Sequence, residues 1–175
     1  MVGNLFSSES VSSGHPDKLC DAISDAIVDA CLSVDPHARV AVETCVKGKS
    51  DRSLIVLAGE VTVKGDAPNY EQIARKAAAS IGYDSHTIGM DATSQELCDV
   101  QVHITTQSQY IAQGVDQNDL SQGAGDQGLM FGYACMETEG LDGLTGTFFP
   151  LAAALSQKLI RLLTEVREKG ILPWA

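Results

Sequence analysis

Between residues 77 and 157 the chain has no lysine and no arginine, yet those 81 residues hold ten Asp or Glu. A polyanion bound along them would need backbone N–H groups, a metal ion, or cations from elsewhere. The five cysteines, Cys20, Cys31, Cys45, Cys98 and Cys135, make no CxxC pair and no Cys/His spacing of the zinc kind. Such an odd, scattered set reads as reduced, buried thiols of a cytoplasmic protein rather than a disulfide framework. No apolar run reaches the 18 residues that a membrane-spanning helix needs. The first ten residues lack the basic and long apolar parts of a secretory signal. Internal repeats and low-complexity tracts are also missing.

Present instead are 175 residues, 44% of them apolar, with a mean hydropathy of +0.01. That is enough material for one ordinary core, so whole-chain disorder is excluded. Lys plus Arg number 12 against 23 Asp plus Glu, a formal charge of −11. Nucleic acid and acidic membranes are poor partners for such a chain, because binding them relies on clustered cations. Hard cations suit it better.

Apolar spacing sets out the elements. Residues 4–11 alternate loosely, as a short strand would. Pro16 suits a first helical position, and Leu19, Ile23, Ile27 and Cys31 recur every four residues, predicting a helix to about Val34 that Asp35-Pro36 ends. Strand-like runs over 38–47 and 54–63, joined by a polar turn, predict a hairpin. A helix over 70–81 is stopped by Gly82. Residues 98–106 alternate as a half-buried strand. The composition of 107–128 is that of a long loop, 129–135 reads as a buried strand, and an amphipathic helix begins after Pro150. The expected class is α+β: layered, with helices packed on mostly antiparallel sheets.

Three constellations are candidates for chemistry. Gly14-His15-Pro16-Asp17-Lys18 places an imidazole, a carboxylate and an ammonium at a helix N-terminus. Such an end offers N–H groups to phosphate while Asp17 holds a divalent ion; alternatively Asp17 simply complements the helix dipole and His15 is a loop residue. Gly123-Ala124-Gly125-Asp126-Gln127-Gly128 matches GxGxxG, but no βαβ unit frames it, so it is not a dinucleotide fingerprint. It reads as a turn that brings backbone close to a ligand and presents Asp126, or as a structural turn. Glu43 and Glu60 interrupt apolar strands, and stand either on a wet face or as parts of a cation or ammonium site. His103 has the strand's alternation phase but no partner in the sequence, and is read as structural.

The residues Phe6-Ser7-Ser8-Glu9-Ser10-Val11, Gly14-His15-Pro16-Asp17-Lys18, Gly59-Glu60-Val61-Thr62, Gln113-Gly114-Val115 and Gly123 through Ala134 resemble S-adenosylmethionine synthetase, the methionine adenosyltransferase family, in register from Leu5 to about Trp174. The resemblance implies repeated α+β domains and the formation of S-adenosylmethionine from ATP and L-methionine, with release of phosphate and pyrophosphate. It implies His15 as a catalytic residue at the ATP triphosphate, Asp17 as a Mg²⁺ ligand and Glu43 as a K⁺ ligand. Glu60, Gln107 and Asp126 would receive methionine, with Asp126 also near ATP. A lid would comprise Gln107, Ser108, Gln109, Tyr110, Ile111, Ala112, Gln113, Gly114, Val115, Asp116 and Gln117. It also implies a cytoplasmic homodimer or homotetramer with each site shared across the interface.

The chain departs from the family's pattern in places. Ser13 stands where Glu is usual, Ser108-Gln109-Tyr110-Ile111 replaces Ser-Pro-Asp-Ile, and the turn over 48–53 is longer. The family continues beyond Leu172-Pro173-Trp174 into a segment carrying the Lys and Arg that hold the triphosphate. The expected organisation is therefore a first α+β unit over 1–106, a lid and Gly-rich loop over 107–128, and the start of a second unit over 129–175. Such an N-terminal portion is expected to be inactive alone. The other reading is a non-catalytic remnant or binding module with part of the fold.

Overall fold

In a computed structural model, residues 5–106 and 127–173 are described. The chain divides into two compact units, one of residues 14–127 and one combining 1–13 with 128–175.

The first unit begins with helix α1, Pro16–Val34. His15 is its N-cap in extended conformation, Pro16 occupies the first turn, and the Leu19 N–H closes the first helical bond on the His15 carbonyl at 2.9 Å. The expected four-residue stripe is the buried face: Leu19, Ile23, Ile27 and Cys31 are each at most 1% exposed. At about 1.5–3 kcal/mol for each large side chain removed from water, this stripe drives the docking of α1. At its far end the Asp35 carboxylate accepts the backbone N–H of His37 at 3.0 Å and of Lys64 at 2.9 Å. The end of α1 is thereby tied to the exit of the hairpin.

The hairpin consists of β1, Arg39–Lys47, and β2, Ser53–Thr62, antiparallel with Arg39 opposite Thr62 and Lys47 opposite Leu54. Helix α2, Tyr70–Ile81, follows. The Asn69 side chain caps it by accepting the Gln72 N–H, and Gly82 ends it at φ 114°, a conformation open to glycine at little cost. Two-residue strands β3, Asp84–Ser85, and β4, Met90–Asp91, pair around a 3-10 turn. Strand β5, Cys98–Thr105, then joins β2 in parallel, giving the order β1-β2-β5. The helical crossover through α2 is what allows this parallel pairing. Arg75 holds the crossover in place: it pairs with Glu71 at 2.9 Å and donates to the carbonyls of Ala92 and Cys98 at 3.0 and 3.1 Å.

Helices α1 and α2 contact each other and cover one face of the sheet, where Ile55, Leu57, Val61, Ala74 and Ala78 complete the core. The architecture is α+β, as expected. Along β1 and β2 the core-facing residues, such as Val42 and Thr44 on β1 and Leu57 and Val61 on β2, alternate with a second set. That set lies on the face away from the helices: Ala41, Glu43 and Cys45 of β1, Val56, Ala58 and Glu60 of β2, and Asp99, Gln101, His103 and Thr105 of β5.

The second unit contains helix α3, Leu151–Glu168. Pro150 supplies no side-chain cap, and the Glu137 carboxylate accepts the Leu151 N–H at 3.1 Å instead. A series of turns precedes it, anchored by fully buried Thr138, whose hydroxyl donates to the Phe149 carbonyl at 2.7 Å. Along α3, Ala154 is buried, whereas Leu155, Leu159 and Leu162 are at least half exposed.

Three expectations are corrected. Residues 5–11 form no strand, and neither do 129–135, where Phe131 is 91% exposed. Apolar alternation makes a strand only when a neighbouring edge takes up the backbone N–H and C=O groups, and neither segment pairs in a described sheet. The cysteines are all free, as expected, but only Cys31 and Cys98 are buried; Cys45 lies on the open face of the sheet. No described helix is long and apolar enough to cross a membrane.

The two backbone donors hold the Asp35 carboxyl below its ordinary range, Lys64 N–H first. A carboxylate lowered on folding stabilises the native state above its unfolded pKa, and the contribution disappears as pH falls through the lowered value. Asp35→Asn is therefore expected to unfold at lower urea than wild type at pH 7, with the gap closing below about pH 4. A gap equally wide at both pH values would assign the loss to shape rather than to charge.

Candidate functional site

The residues with candidate chemistry fall into two groups, set by how α1 lies on β1. Ser24 of α1 shares a 2.8 Å hydrogen bond with Thr44. Nearer the helix start the Cys20 thiol meets the backbone of Val46, and nearer its end Val28 shares a hollow with Val40 and Val42. Helix and strand therefore run in opposite directions. His15 is nine residues before Ser24, or about 13 Å along the axis at 1.5 Å per residue.

At that end His15 and Asp17 stand together. The His15 Nδ1 accepts the Asp17 N–H at 3.2 Å, and the Asp17 carboxylate lies 3.8 Å from the same nitrogen. A ring nitrogen that accepts cannot carry the proton, so the neutral imidazole with this bond holds its proton on Nε2. The turn before it is held by the Tyr83 hydroxyl, which donates to the Gly14 carbonyl. Asp17 is 88% exposed. Tyr83 had no signal in the sequence: its role depends on a contact 69 residues away.

The second group lies on the opposite face of the sheet. Glu43 is opposite Ala58, and Glu60 opposite Ala41, so the two carboxylates occupy adjacent rows of one antiparallel pair. Neither has a hydrogen bond or ion pair to another described residue. Gly59 stands between the rows at φ 148°, where a Cβ would come within 2.0 Å of the Ala41 carbonyl oxygen. Only a residue without a side chain lets β1 and β2 approach there. A hollow of about 450 Å³ beside it is lined by Val28, Val40, Ala41, Val42, Glu43, Ala58 and Gly59.

The structure thus pairs His15 with Asp17 and Glu43 with Glu60, and separates the pairs by the length of half a helix and the thickness of the sheet. Gln107, Asp126 and the lid residues 107–117 lie outside the described residues. No group of three or more His, Cys, Asp or Glu among the described residues forms a metal cage. Mg²⁺, however, is commonly held by one or two carboxylates together with water and substrate phosphates. A single exposed carboxylate such as Asp17 fits that mode of binding.

Two family models match the chain. Residues 3–109 match the S-adenosylmethionine synthetase N-terminal domain, and residues 121–175 match the central domain of the same enzymes. The chain belongs to the S-adenosylmethionine synthetase family.

Gly59→Ala is expected to destabilise the first unit by about 2–4 kcal/mol, through backbone strain and the clash with Ala41. Denaturant melts would register this as a lowered midpoint, and a midpoint within error of wild type would remove the tight approach that aligns Glu43 with Glu60.

Proposed function

We propose that this chain supplies part of the active site of a methionine adenosyltransferase. A lone pair of the methionine sulfur attacks C5′ of ATP and forms the new S–C bond. The C5′–O bond breaks, triphosphate leaves with the electron pair, and water then cleaves it to phosphate and pyrophosphate. A neutral thioether is a weak nucleophile, so the burden falls on positioning and on stabilising the departing oxygen. The observation that carries this reading is the capped imidazole. With Nδ1 committed to the Asp17 N–H, His15 offers an Nε2–H donor where charge grows on the triphosphate.

Asp17 would hold Mg²⁺, which when bound neutralises charge on the phosphate oxygens. Glu43, unpartnered beside a hollow, would hold K⁺. Glu60 would take the methionine ammonium together with Gln107 and Asp126, and 107–117 would close over the site. The separation of His15 from Glu60 within one chain favours a homo-oligomer in which a second copy brings the two groups together. The chain has no lysine or arginine over 77–157, and a triphosphate carries about four negative charges, so a complete clamp draws cations from outside this stretch. A cytoplasmic location is in keeping with the free thiols.

In an active enzyme carrying this sequence, His15→Asn is the informative variant, because Asn is as good an N-cap as any residue but lacks the reach of Nε2. Turnover should fall at least about 10²-fold with the methionine KM within about threefold and the melting midpoint unchanged. A variant with near wild-type turnover would end the catalytic reading of His15.

Asp17→Asn should raise the Mg²⁺ concentration for half-maximal activity by about tenfold or more, a neutral amide being a poor ligand for a hard cation. An unchanged Mg²⁺ titration would leave Asp17 as a helix-dipole partner only.

A further inference from the structure

The strand register brings one more chemically active side chain to the face that carries Glu43 and Glu60. His103 of β5 is opposite Ala58, which on its other side is opposite Glu43, so Glu43, Ala58 and His103 form one row across the sheet. Glu60 occupies the next row, between Ala41 and Thr105. Adjacent strands lie about 4.8 Å apart and same-face neighbours about 6.6 Å apart along a strand, so the Cα atoms of Glu60 and His103 are about 8 Å apart on the diagonal. The residue between Glu43 and His103 is an alanine, too short to block an approach over it.

His103 is exposed and makes no hydrogen bond or ion pair to any described residue. The other polar groups of this face are differently placed. Asp99 is paired with Arg52 at 3.2 Å and accepts the Gln101 amide at 2.9 Å, which commits all three. Arg39, in the row on the far side of Glu60, makes interactions of its own. Lys47 is three rows from Glu60, about 20 Å along the strand. His103 is thus an uncommitted nitrogen donor one row from the uncommitted carboxylate of Glu60.

An α-amino acid presents an ammonium and a carboxylate on neighbouring atoms. Glu60 alone satisfies the first and repels the second. We propose that His103 is a specificity-determining residue that donates a ring N–H to the α-carboxylate of the amino acid whose ammonium Glu60 receives. This rests on the reading of Glu60 given above. The Glu60–His103 diagonal then selects a zwitterion.

The test compares L-methionine with L-methioninol, which keeps the ammonium and the thioether but replaces the carboxylate by a hydroxymethyl group. Dissociation constants would be measured by amide chemical-shift titration of the full chain. His103→Ala should weaken L-methionine about tenfold, the scale of one hydrogen bond to a charged group, and leave L-methioninol within twofold. His103→Gln, which retains an N–H donor, should recover much of the loss. Glu60→Gln should weaken both ligands. If His103→Ala weakens both ligands equally, or neither, while Glu60→Gln still weakens both, His103 has no role in selecting the carboxylate and the reading of Glu60 stands. If Glu60→Gln changes neither affinity, or wild type binds neither ligand, the ammonium site falls and the inference with it.

Discussion

The four-residue stripe of Leu19, Ile23, Ile27 and Cys31 against Ile55 and Leu57 is the contact on which the first unit depends. It fixes more than stability. A helix buried by one stripe can lie on a sheet in only a few ways, and here α1 runs against β1, with Cys20 at Val46, Ser24 bonded to Thr44 and Val28 beside Val40 and Val42. From that single choice follow the position of the α1 N-terminus, with half-buried His15 and exposed Asp17 there, and the face of the sheet that neither α1 nor α2 covers. Were the helix reversed, His15 would lie near the level of Val40 rather than beyond Val46.

The open face is unusual for what it leaves unsatisfied. Charged side chains on a wet strand commonly pair across the ladder, as Arg52 does with Asp99. Glu43, Glu60 and His103 do not, although they surround one alanine. Small residues beneath them, Ala41, Ala58 and Gly59, leave room above the backbone, and Gly59 is required by the close approach of Ala41. Unpaired groups over a small-residue floor are what a polar ligand needs, because the groups are held by the sheet before the ligand arrives and little ordering remains to oppose binding.

The second unit shows the opposite balance. Its turns are well bonded around Thr138, and Glu137 supplies the cap that Pro150 cannot, yet α3 buries a single alanine. The leucines that gave α3 its amphipathic pattern are present and largely exposed. Hydrogen bonds local to the turns set the secondary structure here, while the hydrophobic contacts that would set its tertiary packing are not made within the described residues.

Much of the first unit is legible in the amino-acid order alone. Pro16, the spacing from Leu19 to Cys31, the polar turn between two β-branched runs and Gly82 are local signals, and local signals determined α1, the hairpin, α2 and β5 to within a residue or two at most boundaries. The family, too, was carried by contiguous motifs. Other features were set by pairing. The strands expected over 4–11 and 129–135 had the right alternation but no edge to join. Tyr83 holds Gly14 from 69 residues away, and β5 lies parallel to β2 only because α2 returns the chain. His103 offered nothing but its phase until the register placed it one row from Glu60. Charge, helix stripes and helix ends are written in the amino-acid order, because they depend on neighbours within a turn or two. Which alternating segments become strands, and which side chains then share a face, are settled by the fold, because pairing, register and helix direction are set by the burial of a common core.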